Sequence, residues 1–376
     1  MEDATLGGLA LSQGMTTHSH VCGLVADTCE SFEFVAGDGE LYKTRNGDYL
    51  HKAMMFSHGA LGILVALELR VVPAERFVRI TYRHVRALEL PKAFQDAHNR
   101  NCFFLEAIIY SPDKAVVIEG NLTTDTDRTT KLPVNRQGQW WKEWFFKRVE
   151  RSRDGEEELM PMRDYLMRHD RSMCMTMETV FPVGNEWWFR YPFGWTLPPK
   201  ISFLKASHTA ETRRQSVQEQ VYQDIAFPLD RFKDVYSFVD RTFAIYPLLC
   251  YSCKMMKHGS MIRLEASETV SDAKMFMNLG VYGVPRDLKR TGRFPTLHRV
   301  RELEALIREV GGFQHTYCDT LQSRAEFEEM FDHRMLNEAR AKVGSDKFPT
   351  VYDKVRPELD IATLVANEAR VFNLPA

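Results

Sequence analysis

One order of elements, a strand, a helix and two further strands, occurs twice in this sequence and limits the possible folds more than any other feature. In the first occurrence, alternating apolar positions predict strands at Phe77–Val85, Phe103–Tyr110 and Ala115–Leu122 and a helix at Leu90–Asn99. The looser second occurrence has predicted strands at Val217–Phe227, Tyr246–Ser252, Met275–Tyr282 and His315–Cys318, and predicted helices at Leu229–Thr242 and His298–Val310. Two such units predict one antiparallel sheet with helices on a single face, which is an α+β fold.

A smaller unit, residues 1–73, is predicted ahead of the first repeat. Residues 5–24 are rich in Gly, Ser and Thr and are predicted to form loops. The other predicted elements are strands at Ser31–Ala36, Glu40–Thr44 and Ile63–Val72, a turn at Gly37-Asp38-Gly39 and a helix at Tyr49–Phe56. We place the end of this unit at Pro73.

The repeats belong to a predicted second domain, residues 74–345, and a tail follows at 346–376 whose end is predicted to be partly disordered. An aromatic, basic and Pro-rich insertion at about 140–205 separates the repeats. The run Trp140, Trp141, Trp144, Phe145 and Phe146 suits a membrane surface or a buried helix face equally well. The run Glu156-Glu157-Glu158 is predicted to be solvated.

Composition excludes some classes of function. A length of 376 residues favours two domains, and 49 basic against 51 acidic residues provide no field that would attract nucleic acid. The cysteine count of 7 is odd and no secretory leader precedes it, so we expect a reducing compartment. No apolar stretch is long enough to form a transmembrane segment.

Glycine clusters in the first unit form the strongest candidate binding motif. The candidate ligand-contacting residues are Thr5, Leu6, Gly7, Gly8, Leu9, Gly14, Met15, Thr16, Thr17, Ser19, His20, Gly23, Gly59, Gly62 and Ile63. Paired glycines let backbone N–H groups approach a phosphate, and Thr and Ser hydroxyls add donors. The residues alone predict a general anion cradle, which ordinary turns would also explain.

The order of these loops and strands resembles the second half of a PCMH-type FAD-binding domain of the vanillyl-alcohol-oxidase superfamily. Beyond that, the chain is similar to the Δ24-sterol reductases, the Diminuto-type family, from about Thr5 to about Pro357. The segments that carry this likeness include Trp144-Phe145-Phe146-Lys147, Arg168-His169, Arg190-Tyr191-Pro192-Phe193-Gly194-Trp195, Pro198-Pro199-Lys200-Ile201-Ser202 and Gly280-Val281-Tyr282-Gly283-Val284-Pro285.

The resemblance implies the C-terminal half of a PCMH-type domain at 1–73, followed by a cap domain with an antiparallel sheet and helices. It implies FAD as cofactor, NADPH as electron donor, a sterol as substrate and reduction of the Δ24 side-chain double bond. Full-length family members belong to the endoplasmic reticulum membrane. Because they carry a first FAD subdomain ahead of the Gly-Gly loop, the resemblance implies that this chain alone binds FAD weakly or not at all.

An isolated alkene accepts hydride only if an acid protonates it, so the implied reaction needs a proton donor in a dry pocket. Four side chains on predicted cap strands are candidate catalytic acids: Glu106, Tyr246, Tyr282 and Asp319. Glu106 is favoured, because a carboxyl group in an apolar strand should have a raised pKa. The aromatic run from Trp187 to Trp195 is expected to line a sterol pocket or to attach the insertion to the cap.

Two other functions stay open on the sequence. One is another FAD-linked oxidase of the superfamily, such as a sugar-lactone oxidase, although no covalent-flavin motif is present. The other is a non-catalytic lipid-binding remnant. His18-Ser19-His20 and Cys250-Tyr251-Ser252-Cys253 do not predict a metal site, because further ligands at suitable spacing are missing from the sequence near them. The sequence does not predict an oligomeric state.

Overall fold

A computed structural model describes residues 4–124, 131–197, 209–258, 260–264 and 273–374. The strands are β1 Cys29–Val35, β2 Leu41–Lys43, β3 Ile63–Leu69, β4 Phe77–Val85, β5 Phe104–Ser111, β6 Lys114–Thr123, β7 Glu157–Pro161, β8 Val221–Pro228, β9 Leu248–Met256, β10 Ala273–Gly283 and β11 Phe313–Gln314. The helices of the first half are α1 Leu6–Leu11, α2 Ser19–Cys22, α3 Tyr49–Met54, α4 Leu90–Asn99, α5 Phe145–Glu150, α6 Met162–Leu166, α7 Met177–Val180 and α8 Trp187–Phe193. Those of the second half are α9 Ala210–Glu219, α10 Phe232–Thr242, α11 Arg286–Thr291, α12 Thr296–Glu309, α13 Arg324–Met330, α14 Arg334–Lys342, α15 Val351–Val355 and α16 Ile361–Phe372.

The predicted antiparallel sheet is confirmed, and it joins both repeats. Its strand order is β11-β8-β10-β9-β5-β6-β4-β7. The two repeats meet where β5 pairs with β9, from Glu106 opposite Tyr251 to Ile109 opposite Leu248. The α+β class predicted from the sequence is therefore correct.

Both faces of this large sheet are covered. Alternate residues of its central strands pack against α4, α10 and α12, as in the contacts of Leu105 and Leu279 with the main core. The opposite residues pack against the insertion, whose Trp144, Phe145 and Phe146 are buried. The three long helices thus share one face as predicted, and the insertion supplies the second cover.

The first unit contains a smaller antiparallel sheet, β2-β1-β3. Phe32 and Phe34 of β1 point into the main core, and that core also contains residues of the large sheet. At the start of β3 the backbone passes so close to β1 that a Cβ on Gly62 would lie 2.7 Å from the Val35 carbonyl oxygen.

Several local predictions are wrong, mostly where a polar segment was assigned by composition. Residues 5–24 contain α1 and α2, and Val217 belongs to α9, so that β8 begins only at Val221. His315–Cys318 is a turn that follows β11. Glu157 begins β7, and Glu158 is buried beside Arg148 instead of being solvated.

The C-terminal segment is also more ordered than predicted. Helix α16 packs beside α12, and the Glu368 carboxylate accepts hydrogen bonds from the backbone N–H groups of Leu297 and His298 at 3.1 and 2.7 Å. It therefore satisfies donors at the start of α12 that the helix itself leaves free.

Two features of the insertion bear on the sequence predictions. Trp187, Trp188, Tyr191, Phe193 and Trp195 face solvent, so within the described residues they neither line a pocket nor attach the insertion to the cap. The Pro198–Ser202 motif lies outside the described residues. Among the described helices, none has the length and apolar character needed to cross a bilayer.

Candidate functional site

The first unit touches the large sheet at the start of β5. The Thr17 carbonyl accepts from the Leu105 N–H at 2.7 Å, and the ring of His20 bonds the Cys102 carbonyl at 3.0 Å through Nε2. Thr16 and Ser19 bond each other within the loop, where the Thr16 N–H donates to Ser19 Oγ at 2.9 Å. The pairing of β5 with β9 begins at Glu106, so the backbone of Leu105 is free to bond this loop.

A second contact ties the same unit to the turn after β11. The Gln13 side-chain carbonyl accepts from the Thr316 N–H and hydroxyl at 3.2 and 2.5 Å, and His58 Nε2 bonds the same hydroxyl. Gln13 Nε2 is buried and finds no acceptor within the described residues. The first unit therefore holds both the start of β5 and the turn after β11.

Polar side chains cross the sheet on the face that meets the insertion. Glu106, Tyr251 and Asn278 lie opposite one another on β5, β9 and β10, and Asp224 of β8 lies opposite Gly280. We call Glu106, Tyr251, Asn278, Asp224 and Tyr282 the polar row. Both repeats contribute to it, and it crosses the strand pair where they join.

Glu106 is fully buried, and the insertion supplies its partners. Arg168 Nε donates to Glu106 Oε1 at 2.7 Å, and His169 Nε2 lies 3.0 Å from Oε2. Burial alone would raise the pKa of Glu106, but Arg168 and His169 outweigh that effect and lower it to about 2. The prediction of a raised pKa is wrong, because an arginine 62 residues away is buried beside the carboxylate.

His169 has one ring nitrogen, Nδ1, without a hydrogen-bond partner within the described residues. Burial lowers its pKa, so we treat the ring as neutral with its Nε2–H donating to Glu106. The unpartnered Nδ1 is buried. The sequence identified Arg168-His169 only as a family segment, since their roles depend on contacts with a distant strand.

Asp224 is the second carboxylate of the polar row and was missed by the sequence analysis. Its Oδ2 accepts from Tyr317 at 2.8 Å and also from the Tyr282 hydroxyl, while Asn278 Nδ2 donates to Oδ1 at 2.8 Å. The Tyr282 ring covers Gly280, where a Cβ would lie 2.6 Å from its hydroxyl. An aspartate in the middle of the apolar strand Val221–Pro228 was the available signal.

The two tyrosine hydroxyls that donate to Asp224 stay protonated at neutral pH. Burial and the neighbouring charge of Asp224 raise the pKa of Tyr282 well above its usual value. Tyr317 differs in its surroundings, because 59% of the residue is exposed although its hydroxyl donates to the buried Asp224 carboxylate. Asp224 thus accepts from one half-buried tyrosine and from a more exposed one.

The other two candidate acids lie apart from the polar row. Tyr246 donates to Asp240 at 2.6 Å and bonds Tyr236, which places it beside α10 on the other face of the sheet. Asp319 pairs with Arg213 of α9. Burial and these hydrogen bonds raise the pKa of Tyr246.

The structure divides the candidate glycines into two groups. Gly14 and Gly62 are buried where a Cβ would lie 2.6 Å from the Leu9 carbonyl oxygen and 2.6 Å from Phe34 Cδ2. Gly23 has a φ of +81° and would place a Cβ against the Asp27 carboxylate. Internal packing therefore explains these three positions without a ligand.

Several of the other candidates lie on or next to α1. Gly7 and Gly8 lie in α1, where the Gly8 N–H donates to the Thr5 hydroxyl at 3.1 Å, and Gly7 faces the Leu64 side chain of β3. The His58 N–H donates to the Leu11 carbonyl at 2.9 Å, which brings the Gly59 loop to the end of α1. Leu9 and Met15 are partly buried between them.

The surface around α1 is apolar as well as glycine-rich. Leu6 is 58% exposed, and Gly7 and Gly8 follow it in the same helix. Ile63 is 65% exposed but, as the neighbour of Leu64 in β3, points to the opposite face of that strand. Exposed apolar side chains beside small residues fit a flat ring system, so Leu6, Gly7 and Gly8 suit contact with a flavin, whereas the fully buried Gln13 side chain does not reach it.

Comparison with known proteins gives one consistent result. No protein-family model matches the chain. A human protein named Delta(24)-sterol reductase is 34% identical over 365 residues, which cover 94% of this chain and 68% of the relative. Proteins of the same name from Arabidopsis thaliana and, as a homolog, from Caenorhabditis elegans are each 31% identical over 94% of this chain, covering 68% and 70% of those relatives.

Proposed function

Because this chain belongs to the Delta(24)-sterol reductase family, we propose that it reduces the Δ24 side-chain double bond of a sterol. The observation that carries the proposal is identity of 31–34% over 94% or more of the chain with relatives from animals and plants. The domain division is part of the proposal: residues 1–73 bind FAD, 74–345 form the cap, and 346–376 form the tail.

FAD bound on the surface of Gly7 and Gly8 would supply hydride, with NADPH as the source of electrons. Thr5, Leu6 and Gly59 extend that surface, whereas Ile63 points to the other face of β3 and the side chain of Gln13 is fully buried. Gly14, Gly23 and Gly62 shape the loops from within, and Thr16, Thr17, Ser19 and His20 fix them to the sheet. The role we propose for those residues is therefore indirect.

The chain's own part in the reaction is to supply a proton and to stabilise positive charge. Protonation of an isolated trisubstituted alkene develops a tertiary cation before hydride arrives. Arg168 neutralises Glu106, so the buried carboxylate of Asp224 on the same face of the sheet is the group that stabilises such a cation. Salt-bridged Glu106 is not the acid in this proposal.

Tyr317 is the proton donor we propose, with Tyr282 as the second candidate. Both are protonated at neutral pH, and Tyr317 is the more exposed of the two residues. Asp224 orients the two hydroxyls, since it accepts from both. Tyr246 and Asp319 have no part in this version of the mechanism, because their partners lie elsewhere.

The test is turnover with added FAD, NADPH and a sterol that carries a Δ24 double bond, with product detected by its gain of two hydrogens in mass spectrometry. Tyr317→Phe should lower turnover by about 10²-fold or more, the usual scale for loss of a general acid. Tyr236→Phe, which also removes a hydroxyl bonded to another tyrosine, serves as the matched control. Flavin reduction by NADPH should be equal in all three proteins.

Two results would contradict the proposal. Unchanged turnover in both Tyr317→Phe and Tyr282→Phe would remove the Asp224 cluster from the chemistry. Flavin that binds and is reduced by NADPH without any turnover of the sterol would also contradict it.

A further inference from the structure

Helix α8 exposes its aromatic side chains instead of burying them. Trp187, Trp188, Tyr191, Phe193 and Trp195 are all exposed, from 50% at Trp188 to 68% at Trp195, and no residue of α8 is buried. We call these five residues the aromatic face. A helix that is apolar on nearly every side is normally enclosed by protein or lipid, so this exposure needs an explanation.

The helix is firmly attached on its inner side. A Cβ on Gly194 would lie 2.7 Å from the Trp140 carbonyl oxygen, and one on Gly184 would lie 2.9 Å from the Trp144 ring. Phe189 contacts the Phe181 ring at a centroid distance of 5.0 Å. The outward direction of the aromatic face is therefore set by close packing beneath it.

Two arginines lie beneath this face without carboxylate partners among the described residues. Arg190 donates to the carbonyls of Asn185 and Trp141 at 2.5 and 2.7 Å. Arg171 donates to the carbonyls of Gln139 and Lys142, each at 2.8 Å. Burial and the nearby charge of Arg190 lower the pKa of Arg171 to about 10, so Arg171 stays charged at neutral pH.

Positive charge lies close to the aromatic face within the described residues. Arg190 belongs to α8 and Arg171 lies beneath it, whereas Glu186 immediately precedes the helix. Glu178 is paired with Lys147 and Glu143 with Arg151, so these two carboxylates do not offset the arginines. A surface with tryptophans, a tyrosine and excess positive charge matches the headgroup layer of an anionic bilayer.

We propose that the aromatic face docks this protein on the surface of an anionic membrane. Tryptophan and tyrosine rings suit that layer, because each has an apolar body and a polar edge. The arginines add attraction to lipid phosphates, and Arg171 lies three residues from Arg168, which binds Glu106 of the polar row. The docking does not depend on the proposed reaction, since neither flavin nor sterol takes part in it.

The experiment is sedimentation of the full chain with vesicles of phosphatidylcholine alone or mixed with phosphatidylserine. Wild type should sediment with the mixed vesicles, and the triple variant Trp187→Ala, Tyr191→Ala, Trp195→Ala should lose about tenfold or more in partitioning, because binding follows the buried apolar area. The control replaces Leu41, Val71 and Val72 by Ala, since these residues are also exposed. Circular dichroism checks that both variants are folded.

Three outcomes would overturn the proposal. Wild type could stay in the supernatant with both kinds of vesicle, or the triple variant could bind as well as wild type. Alternatively, light scattering could show that wild type self-associates without binding vesicles and that the triple variant is monomeric. In that case the aromatic face would be an interface between copies of the chain.

Discussion

Glu106 and Glu304 are both fully buried carboxyl groups, but their surroundings give them opposite charge states. Arg168 and His169 lower the pKa of Glu106 to about 2. Glu304 of α12 accepts one hydrogen bond from the Leu321 N–H at 2.8 Å, and burial raises its pKa to about 8 in spite of Arg301 and Arg308. The presence or absence of a buried cation decides between the two states.

For Glu106 we predict a large loss of stability on Glu106→Gln. The substitution leaves Arg168 buried without its counter-charge, which should lower the free energy of unfolding by about 3 kcal/mol or more. Glu157→Gln is the matched control, because its pair with Arg79 is partly exposed and should change stability by less than about 1 kcal/mol. Urea unfolding measures both, and equal losses would contradict a buried ion pair.

For Glu304 we predict a dependence of stability on pH. Its folded pKa lies above the unfolded value of 4.5, so its contribution is fully present below that value and is lost as pH rises towards 8. Glu304→Gln should remove this loss, and the stability of the variant relative to wild type should rise by about 3 kcal/mol between about pH 5 and 8. Glu302→Gln, on the exposed side of the same helix, is the control. Parallel pH profiles for wild type and Glu304→Gln would contradict the prediction.

For single residues, the sequence predicts whether a side chain is buried better than it predicts which side chains will contact it. The apolar context of Glu106 correctly indicated a buried carboxyl group, but the sign of its pKa shift depends on a residue from another element. Asp224 shows the same limit, because its tyrosine partners come from β10 and from the turn after β11. Residue roles that arise from such contacts cannot be derived from local pattern.

Among the elements, β-strands with alternating apolar residues were predicted well, and polar segments were not. β4, β5 and β6 begin and end within one residue of their predicted bounds, because burial on the sheet fixes their pattern. Residues 5–24 instead form short helices that the packing of the first unit stabilises, which overrides their glycine content. The glycine pattern therefore identified the candidate surface around α1, but it did not predict that this segment contains helices.

Substitution of glycines tests this distinction at α1 and β3. Gly62→Ala should destabilise the small sheet by about 2 kcal/mol or more, because the new Cβ would strike backbone atoms of β1. Gly7→Ala should be neutral or slightly stabilising, because only the end of the Leu64 side chain must move and alanine favours helix. Thermal unfolding distinguishes them, and equal destabilisation by both would be evidence against this assignment.

The same pair of variants addresses the proposed cofactor surface. If FAD lies against Gly7, Gly7→Ala should weaken FAD binding by about tenfold while the protein stays stable. Flavin fluorescence titration measures the affinity. Unchanged affinity would place the cofactor elsewhere on the chain.

For the molecule as a whole we predict cooperative unfolding in spite of the two sheets. A single core contains Phe34 of the small sheet, Leu279 of the large sheet and Leu364 of α16. Residues 1–73 should therefore unfold together with the rest, in one calorimetric transition with equal calorimetric and van't Hoff enthalpies. Two separated transitions would show that the units are thermodynamically independent.

The strand order of the large sheet is symmetric about the β5–β9 pair. Outward from that pair, β6, β4 and β7 on one side correspond to β10, β8 and β11 on the other. The polar row crosses this midline, with Glu106 supplied by one half and Asp224 by the other. Neither repeat by itself could therefore assemble both carboxylates, and a change that separates β5 from β9 would divide the row as well as the sheet.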